Sequence, residues 1–337
     1  MNVGILGLGT YLPENVMSAK DISEATKGAW SEDAVINKLG IKQKPIPGVD
    51  DGTQEMAVKA GLKALENAKI SPLEIDVILC MGEEWKEYPL STSALYIQDK
   101  IGALNAWGID VQNRCCTSLS ALKMAKAMII GDDSINTIMI VGGYRNGDLV
   151  DYTDNDASML YNLGAGAGAM IVSNKAKENF VLGSHILGDG SMCRDAHVKV
   201  GGVNELINSE NMDYAYKSLT IARPKEMKAK LNATSMENWF ICIDKALEES
   251  GLTRDDIDYL GILHFKKSMH NVILDALNLD ESQSIYLEDY GHIGQVDQIL
   301  SMELGLKQGK IKKGSNVLLV AAGIGYVWSA SVVKWGV

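Results

Sequence analysis

KALENAKISPLEIDVIL, Lys63–Leu79, and KALEESGLTRDDIDYLGI, Lys245–Ile262, follow one pattern. Each gives an amphipathic helix ending in KALE, a turn, an acidic step with Ile-Asp, and an apolar strand. A second pair repeats in the same order. LGAGAGAMIVS, Leu163–Ser173, is a glycine-rich turn feeding an apolar strand, and AAGIGYVWSASVVK, Ala321–Lys334, has the same shape. Helix–strand alternation around buried runs such as VGILGLG, INTIMIVGG and SNVLLVAAG predicts an α/β fold whose sheet is covered on both faces. The repeating unit is too long for a solenoid. It predicts two similar halves, 1–174 and 175–337, with the crossing near Asn174–Asn179.

The chain has 337 residues, 46% of them hydrophobic, enough for a large core without disulfide staples. Its five cysteines, Cys80, Cys115, Cys116, Cys193 and Cys242, are odd in number and scattered. They form no CxxC pair and no Cys/His set with zinc spacing, which predicts a reducing cytoplasm and no metal. A net charge of −11 argues against nucleic acid as a partner. The basic groups Lys38, Lys42 and Lys44, and Lys266 and Lys267, read as solvated surface. MNVGILGLGTYLPENV lacks the marks of a signal peptide, and no apolar run approaches the roughly 20 residues that cross a bilayer. The glycines near Gly164 lead into a strand, and Gly7 and Gly9 run into a proline. Neither set opens a helix, so a dinucleotide site is rejected.

Two adjacent cysteines stand in DVQNRCCTSLSALKMAKAMII, Asp110–Ile130. The apolar stretch AWGIDV precedes them and a helical pattern follows. A cysteine at a helix start meets unpaired N–H groups and the positive end of the helix dipole, and both favour the thiolate. In the second half the polar stretch EDYGHIGQVDQILSMEL carries His292 ahead of a helix, and LGILHFKK leaves His264 at a strand end. Ligand and catalytic groups of parallel α/β sheets gather at that edge. A cysteine and a histidine together make a nucleophile and its base. His185, His197 and His270 lack this placement and read as structural or surface residues.

Almost end to end, the chain resembles the thiolase superfamily, and most of all β-ketoacyl-[acyl-carrier-protein] synthase III. The segments that carry the likeness are GLGTYLPENV, LGIKQKPI, DVQNRCCTSLSAL, LGAGAGAMIVS, ILHFKK, DYGHIGQ and KIKKGSNVLLVAAGIGYVWSASVVKW. The resemblance implies a duplicated five-layered αβαβα fold with two mixed central sheets. Counting from Asp110, it makes Cys115 the nucleophile and leaves Cys116 to packing. The family's histidine falls on His264, and its asparagine is replaced by His292, giving the Cys-His-His set of elongating ketosynthases. Where the family often stacks the CoA adenine, this chain has Ala34 and Ala157, and Met269 replaces the arginine that meets the carrier protein. Lys38, Lys266 and Lys267 are the candidate phosphate and carrier contacts.

The reaction so implied is a ping-pong acyl transfer without a resident cofactor. Cys115 takes an acyl group from a CoA or carrier-protein thioester. A malonyl-type thioester then supplies the enolate, steadied by His264 and His292, and a β-ketoacyl thioester forms. The N–H of Cys115 and the Gly323–Ile324–Gly325 turn form the oxyanion hole. Tyr88 floors the partner subunit's acyl pocket, which implies a homodimer. A rival reading makes Glu83 or Glu84 the base of a non-decarboxylating condensation, as in hydroxymethylglutaryl-CoA synthases, or treats the protein as a simple acyltransferase. A further alternative is a non-catalytic partner subunit.

Overall fold

The computed structural model describes residues 2–82 and 85–337. Among these, nine strands form the main sheet: β1 (Gly4–Tyr11), β2 (Val77–Met81), β3 (Trp107–Val111), β4 (Thr137–Tyr144), β5 (Gly166–Ser173), β6 (Phe180–Gly188), β7 (Tyr259–Ile262), β8 (Asn316–Gly323) and β9 (Val327–Lys334). Their order is β7-β8-β9-β6-β1-β5-β4-β2-β3. The first half supplies β1–β5 and the second β6–β9. The strand pairing between the two sets is confined to Gly4↔Phe180. Each set is mixed: β3, β2 and β4 run parallel, as do β7 and β8, and the remaining pairings are antiparallel.

The repeat read from the KALE segments appears here as matching strand slots. β2 follows helix α1 (Thr53–Ala68), and β7 follows helix α4 (Pro224–Ser250). β3 pairs in parallel with β2, and in the second half the same slot shrinks to one parallel bridge, Leu260↔Ser284. The stretch expected to join the halves is the turn between β5, which ends at Ser173, and β6, which begins at Phe180.

Helices α1 and α2 (Ser93–Ile101) cover the outer face of the first set, α4 covers that of the second, and α5 (Lys267–Ala276) follows β7. Between the sets lie α3 (Thr117–Gly131) and α6 (Asp297–Lys307), which touch strands of both halves. The layers are therefore α, β, α, β, α. One hydrophobic cluster runs through both halves, and a smaller one lies under α1 and α2.

The glycines of GLGTYLP have a packing role. A Cβ on Gly9 would lie 2.3 Å from the Ala60 carbonyl, and one on Gly7 2.6 Å from that of Ala64. Their absence lets α1 sit directly on β1. The glycines of GAGAGA differ from expectation in place: Gly166 and Gly168 lie within the fully buried β5 instead of in a preceding turn. AWGIDV forms the expected strand, β3. It is an edge strand, with Trp107 and Ile109 exposed.

Candidate active site

Asp110, at the end of β3, accepts hydrogen bonds from the Ser93 and Ala94 N–H groups at the start of α2, 3.0 and 2.8 Å. It thereby fixes where β3 ends and the cysteine turn begins. Arg114 adopts a φ of +51°, a left-handed conformation costly for a side-chain-bearing residue. Thr117 braces that turn, accepting from the Asn113 N–H at 2.8 Å and donating to the Arg114 carbonyl at 2.5 Å. The single turn Arg114–Cys116 then leads into α3.

The two cysteines part here. Cys116 is sealed in the core, its sulfur 3.5 Å from the Val327 carbonyl, and desolvation pushes its thiol well up. Cys115 is half-buried, and its sulfur lies 3.0 Å from His292 Nε2. The Gly323–Gly325 turn packs against the same segment: a Cβ on Gly323 would lie 3.0 Å from Arg114 Cβ and 3.1 Å from the Asn113 carbonyl.

The stretch that looked polar is buried. Gln295, Asp297 and Gln298 are almost wholly shielded from solvent. Gln295 donates to the carbonyls of Met81 and Gly143 in the first half, and Gln298 donates to Val320 in the second. Asp297, the first residue of α6, was not among the candidate residues. Its Oδ2 accepts from His292 Nδ1 at 2.6 Å and from the His264 backbone N–H at 2.7 Å, while Oδ1 accepts from the Ile293 N–H at 2.7 Å. An aspartate at a helix start reads in sequence as ordinary N-terminal charge. The one signal was its position five residues after His292. Burial works against a charged His292 ring, but Cys115 and Asp297 outweigh it and hold the group well above the usual histidine range.

His264 is near but differently engaged. Its Nε2 donates to the Gly40 carbonyl at 3.0 Å and its Nδ1 faces Asn162 Nδ2 at 3.2 Å. Burial pushes it down to about 4, so it is neutral. Gly40 has a φ of +78°, and a Cβ there would overlap the Tyr286 hydroxyl. The glycine of LGIKQKPI thus allows both the turn and the bond to His264. The structure brings Cys115 and His292 together and meets His264 through its main chain, at Asp297.

Of the other predicted residues, Tyr88 is exposed, as are Lys38, Lys266 and Lys267. Glu83 and Glu84 lie outside the described residues. Ala34 is half-buried and Ala157 buried. His197 is exposed; His270 packs in the core against Phe265 and Tyr286. Among the described residues no cluster of His, Cys, Asp or Glu is arranged to hold a metal, and no helix is long and apolar enough to cross a membrane.

Lys44 corrects the reading of a solvated basic patch, since it is completely buried. Its ammonium donates to the Tyr152 hydroxyl and to the carbonyls of Tyr161 and Leu163, each at 2.7 Å. Three oxygen acceptors offset the cost of removing the amine from water, although desolvation still pushes it down to about 7. The segment it grips supports the site: the Asn162 carbonyl receives the His292 N–H, and the Gly164 N–H bonds the His292 carbonyl, both at 2.9 Å.

Comparison with known proteins agrees along the chain. The family model for 3-oxoacyl-[acyl-carrier-protein] synthase III matches residues 109–190, and the model for its C-terminal part matches 247–335. The β-ketoacyl-[acyl-carrier-protein] synthase III of Clostridioides difficile is 28% identical over 336 residues, covering 98% of both chains. That of Caldanaerobacter subterraneus is 27% identical, covering 98% of this chain and 97% of the relative. The crystal structure of the 3-oxoacyl-[acyl-carrier-protein] synthase III from Aquifex aeolicus superposes with a TM-score of 0.82 at 22% identity, over 99% of this chain and all of the other.

Lys44→Met removes the donor from three oxygens, two of them main-chain carbonyls beside the site. Leaving such groups unsatisfied costs about 1–3 kcal/mol each, part of which is offset because no amine is taken out of water, so we expect an overall loss of roughly 2–4 kcal/mol. Urea unfolding monitored by circular dichroism measures it; an unchanged midpoint would show that Lys44 is not holding this segment.

Proposed function

Because the chain belongs to the 3-oxoacyl-[acyl-carrier-protein] synthase III family of the thiolase superfamily, we propose that it carries its acyl group on Cys115 and condenses it with a malonyl-type thioester. It is a condensing acyltransferase of that family, and the geometry supports the following roles for its residues. The observation that carries the assignment is the 3.0 Å approach of His292 Nε2 to the Cys115 sulfur. A thiol needs an adjacent base or a positive helix end to react as thiolate, and Cys115 has both.

The thiolate attacks the carbonyl of an acyl-CoA or acyl-carrier thioester. The N–H of Cys115 and the Gly323–Ile324–Gly325 turn receive the oxyanion, and loss of one such donor typically costs about 10²–10³ in rate. The second thioester then enters and loses carbon dioxide, and its enolate carbon attacks the acyl carbonyl. His292 meets the enolate oxygen, while His264 supports the site by holding Asp297 through its backbone. Lys38, Lys266 and Lys267 supply exposed cations for the phosphates of CoA or phosphopantetheine. This chemistry needs no resident cofactor, and with none of the five cysteines in a disulfide we place the enzyme in the cytoplasm.

A second reading, acyl transfer to a hydroxyl or amine without decarboxylation, is favoured by one observation. The His264 Nε2–H is bound to Gly40, so only one imidazole addresses the sulfur. Acyl-CoA and malonyl thioesters supplied together distinguish the two. Condensation releases carbon dioxide in step with a β-ketoacyl product, and intact-mass analysis finds the acyl adduct in Cys116→Ala but not in Cys115→Ala. Product formed from two non-malonyl thioesters would overturn the decarboxylative assignment, and an adduct surviving Cys115→Ala would overturn the choice of cysteine.

We also infer a homodimer. Among the described residues β3 ends the sheet, and one side of its backbone has no strand partner. Trp107, Ile109, Leu95 and Met124 are exposed on and around it. Such an edge invites pairing with a second copy. The loop bearing the exposed Tyr88 is tied to β3 by Lys86 and Asp110, 3.3 Å apart. Light scattering should give twice the chain mass, and Ile109→Glu should give a monomer; a monomeric wild type would refute the dimer.

A further inference from the structure

The site holds a buried carboxylate that the two-step reaction above does not require. Asp297 has four hydrogen-bond contacts in view at most for its two oxygens, and three are filled: His292 Nδ1, the His264 N–H and the Ile293 N–H. Its bond to Nδ1 settles the tautomer of His292. The Nδ1 proton points at Asp297, so Nε2 faces the Cys115 sulfur either as an acceptor of S–H or as a donor to S⁻.

Two features favour the charged alternative. The carboxylate stands 2.6 Å from the ring, where an imidazolium gains more from it than a neutral ring does. The sulfur stands at the start of α3, where the helix end favours an anion. Burial opposes both. The other titratable groups beside His292 are His264, which is neutral, and the ring of Tyr144 at 6.3 Å; Lys44 passes the neighbouring Gly291, where an added Cβ would lie 3.2 Å from its own. Tyr326 faces Cys115 from the β8–β9 turn. The Lys44 amine is turned away to three oxygens of its own.

We propose that Asp297 is a positioning residue that keeps the resting Cys115–His292 pair as thiolate and imidazolium. The inference rests on the assignment of Cys115 as nucleophile. During loading, the thiolate forms a bond to the acyl carbon and the carbon–sulfur bond of the donor breaks. The departing thiolate takes the Nε2 proton from His292 and leaves as a thiol. His292 then regains a proton from solvent, because Asp297 stays in place after the sulfur has been acylated. That proton matches the one consumed overall when a malonyl thioester loses carbon dioxide. The recharged Nε2–H is then available to the enolate oxygen.

The test is the pH dependence of Cys115 alkylation by iodoacetamide, followed by peptide mass mapping so that the exposed Cys193 is counted separately. An ordinary thiol titrates near 8.5. In the wild-type protein the Cys115 rate should stay level from pH 9 down to about 6. Asp297→Asn should slow it about tenfold at pH 6.5 while leaving the rate at pH 9.5 within a factor of two. A wild-type inflection near 8.5 would overturn the proposal by itself, whether or not the variant folds, and so would identical profiles in wild type and variant. Acyl loading from acyl-CoA at pH 8 is measured alongside. Loading with an ordinary thiol profile defeats only the ion pair, whereas absence of loading defeats the assigned function.

Discussion

A carboxylate fully removed from water must be answered by donors, and in this protein the answer organises the site. Asp297 takes one bond from the ring of His292, one from the main chain of His264 and one from the main chain of Ile293. Those three bonds fix the loop that delivers His292 to the sulfur of Cys115. Removing any one leaves buried charge short of a partner, which costs far more than the bond itself contributes in water. The same carboxylate therefore orders the loop and biases the proton toward the histidine.

The duplicated architecture explains why a cysteine and a histidine some 177 positions apart meet. In each half an edge slot of the sheet leads through a short turn into the central helix. The first half places Cys115 in that turn, ahead of α3; the second places His292 there, ahead of α6. The two central helices share one layer between the sheets, and their starting turns pack together. One structural slot, used twice, yields a nucleophile on one side and its base on the other. Gln295 and Gln298 then tie the second turn to strands of both halves.

Much of this is legible in the residues. The KALE repeats report the two halves because helix–turn–strand periodicity survives divergence, and a strand, a turn and a helix in succession place the cysteine pair at a helix start, while the choice of Cys115 over Cys116 comes from the family resemblance. What escapes is whatever depends on the third dimension. Asp297, Gln295 and Gln298 look like the polar face of a surface loop, since hydrophilicity alone does not reveal that each has a buried partner. Lys44 looks like a solvated cation for the same reason, yet it is held by three oxygens that lie more than a hundred residues away. His264 stands at the expected strand end, but which nitrogen it offers, and to whom, depends on the carbonyl of Gly40. Composition also hides an edge strand: AWGIDV is apolar enough for a sheet interior and stands instead at the rim.

If Asp297 keeps the resting pair charged, His292 holds a proton on both nitrogens while its neighbour His264 remains neutral. Nitrogen NMR of the protein labelled at its histidines reads this directly, with His292→Gln and His264→Gln used for assignment. Near neutral pH the His292 ring should show two protonated nitrogens, with the Nδ1 proton displaced far downfield by Asp297, and His264 should show a proton on Nε2 alone. A His292 ring with one protonated nitrogen at that pH would contradict the charged pair.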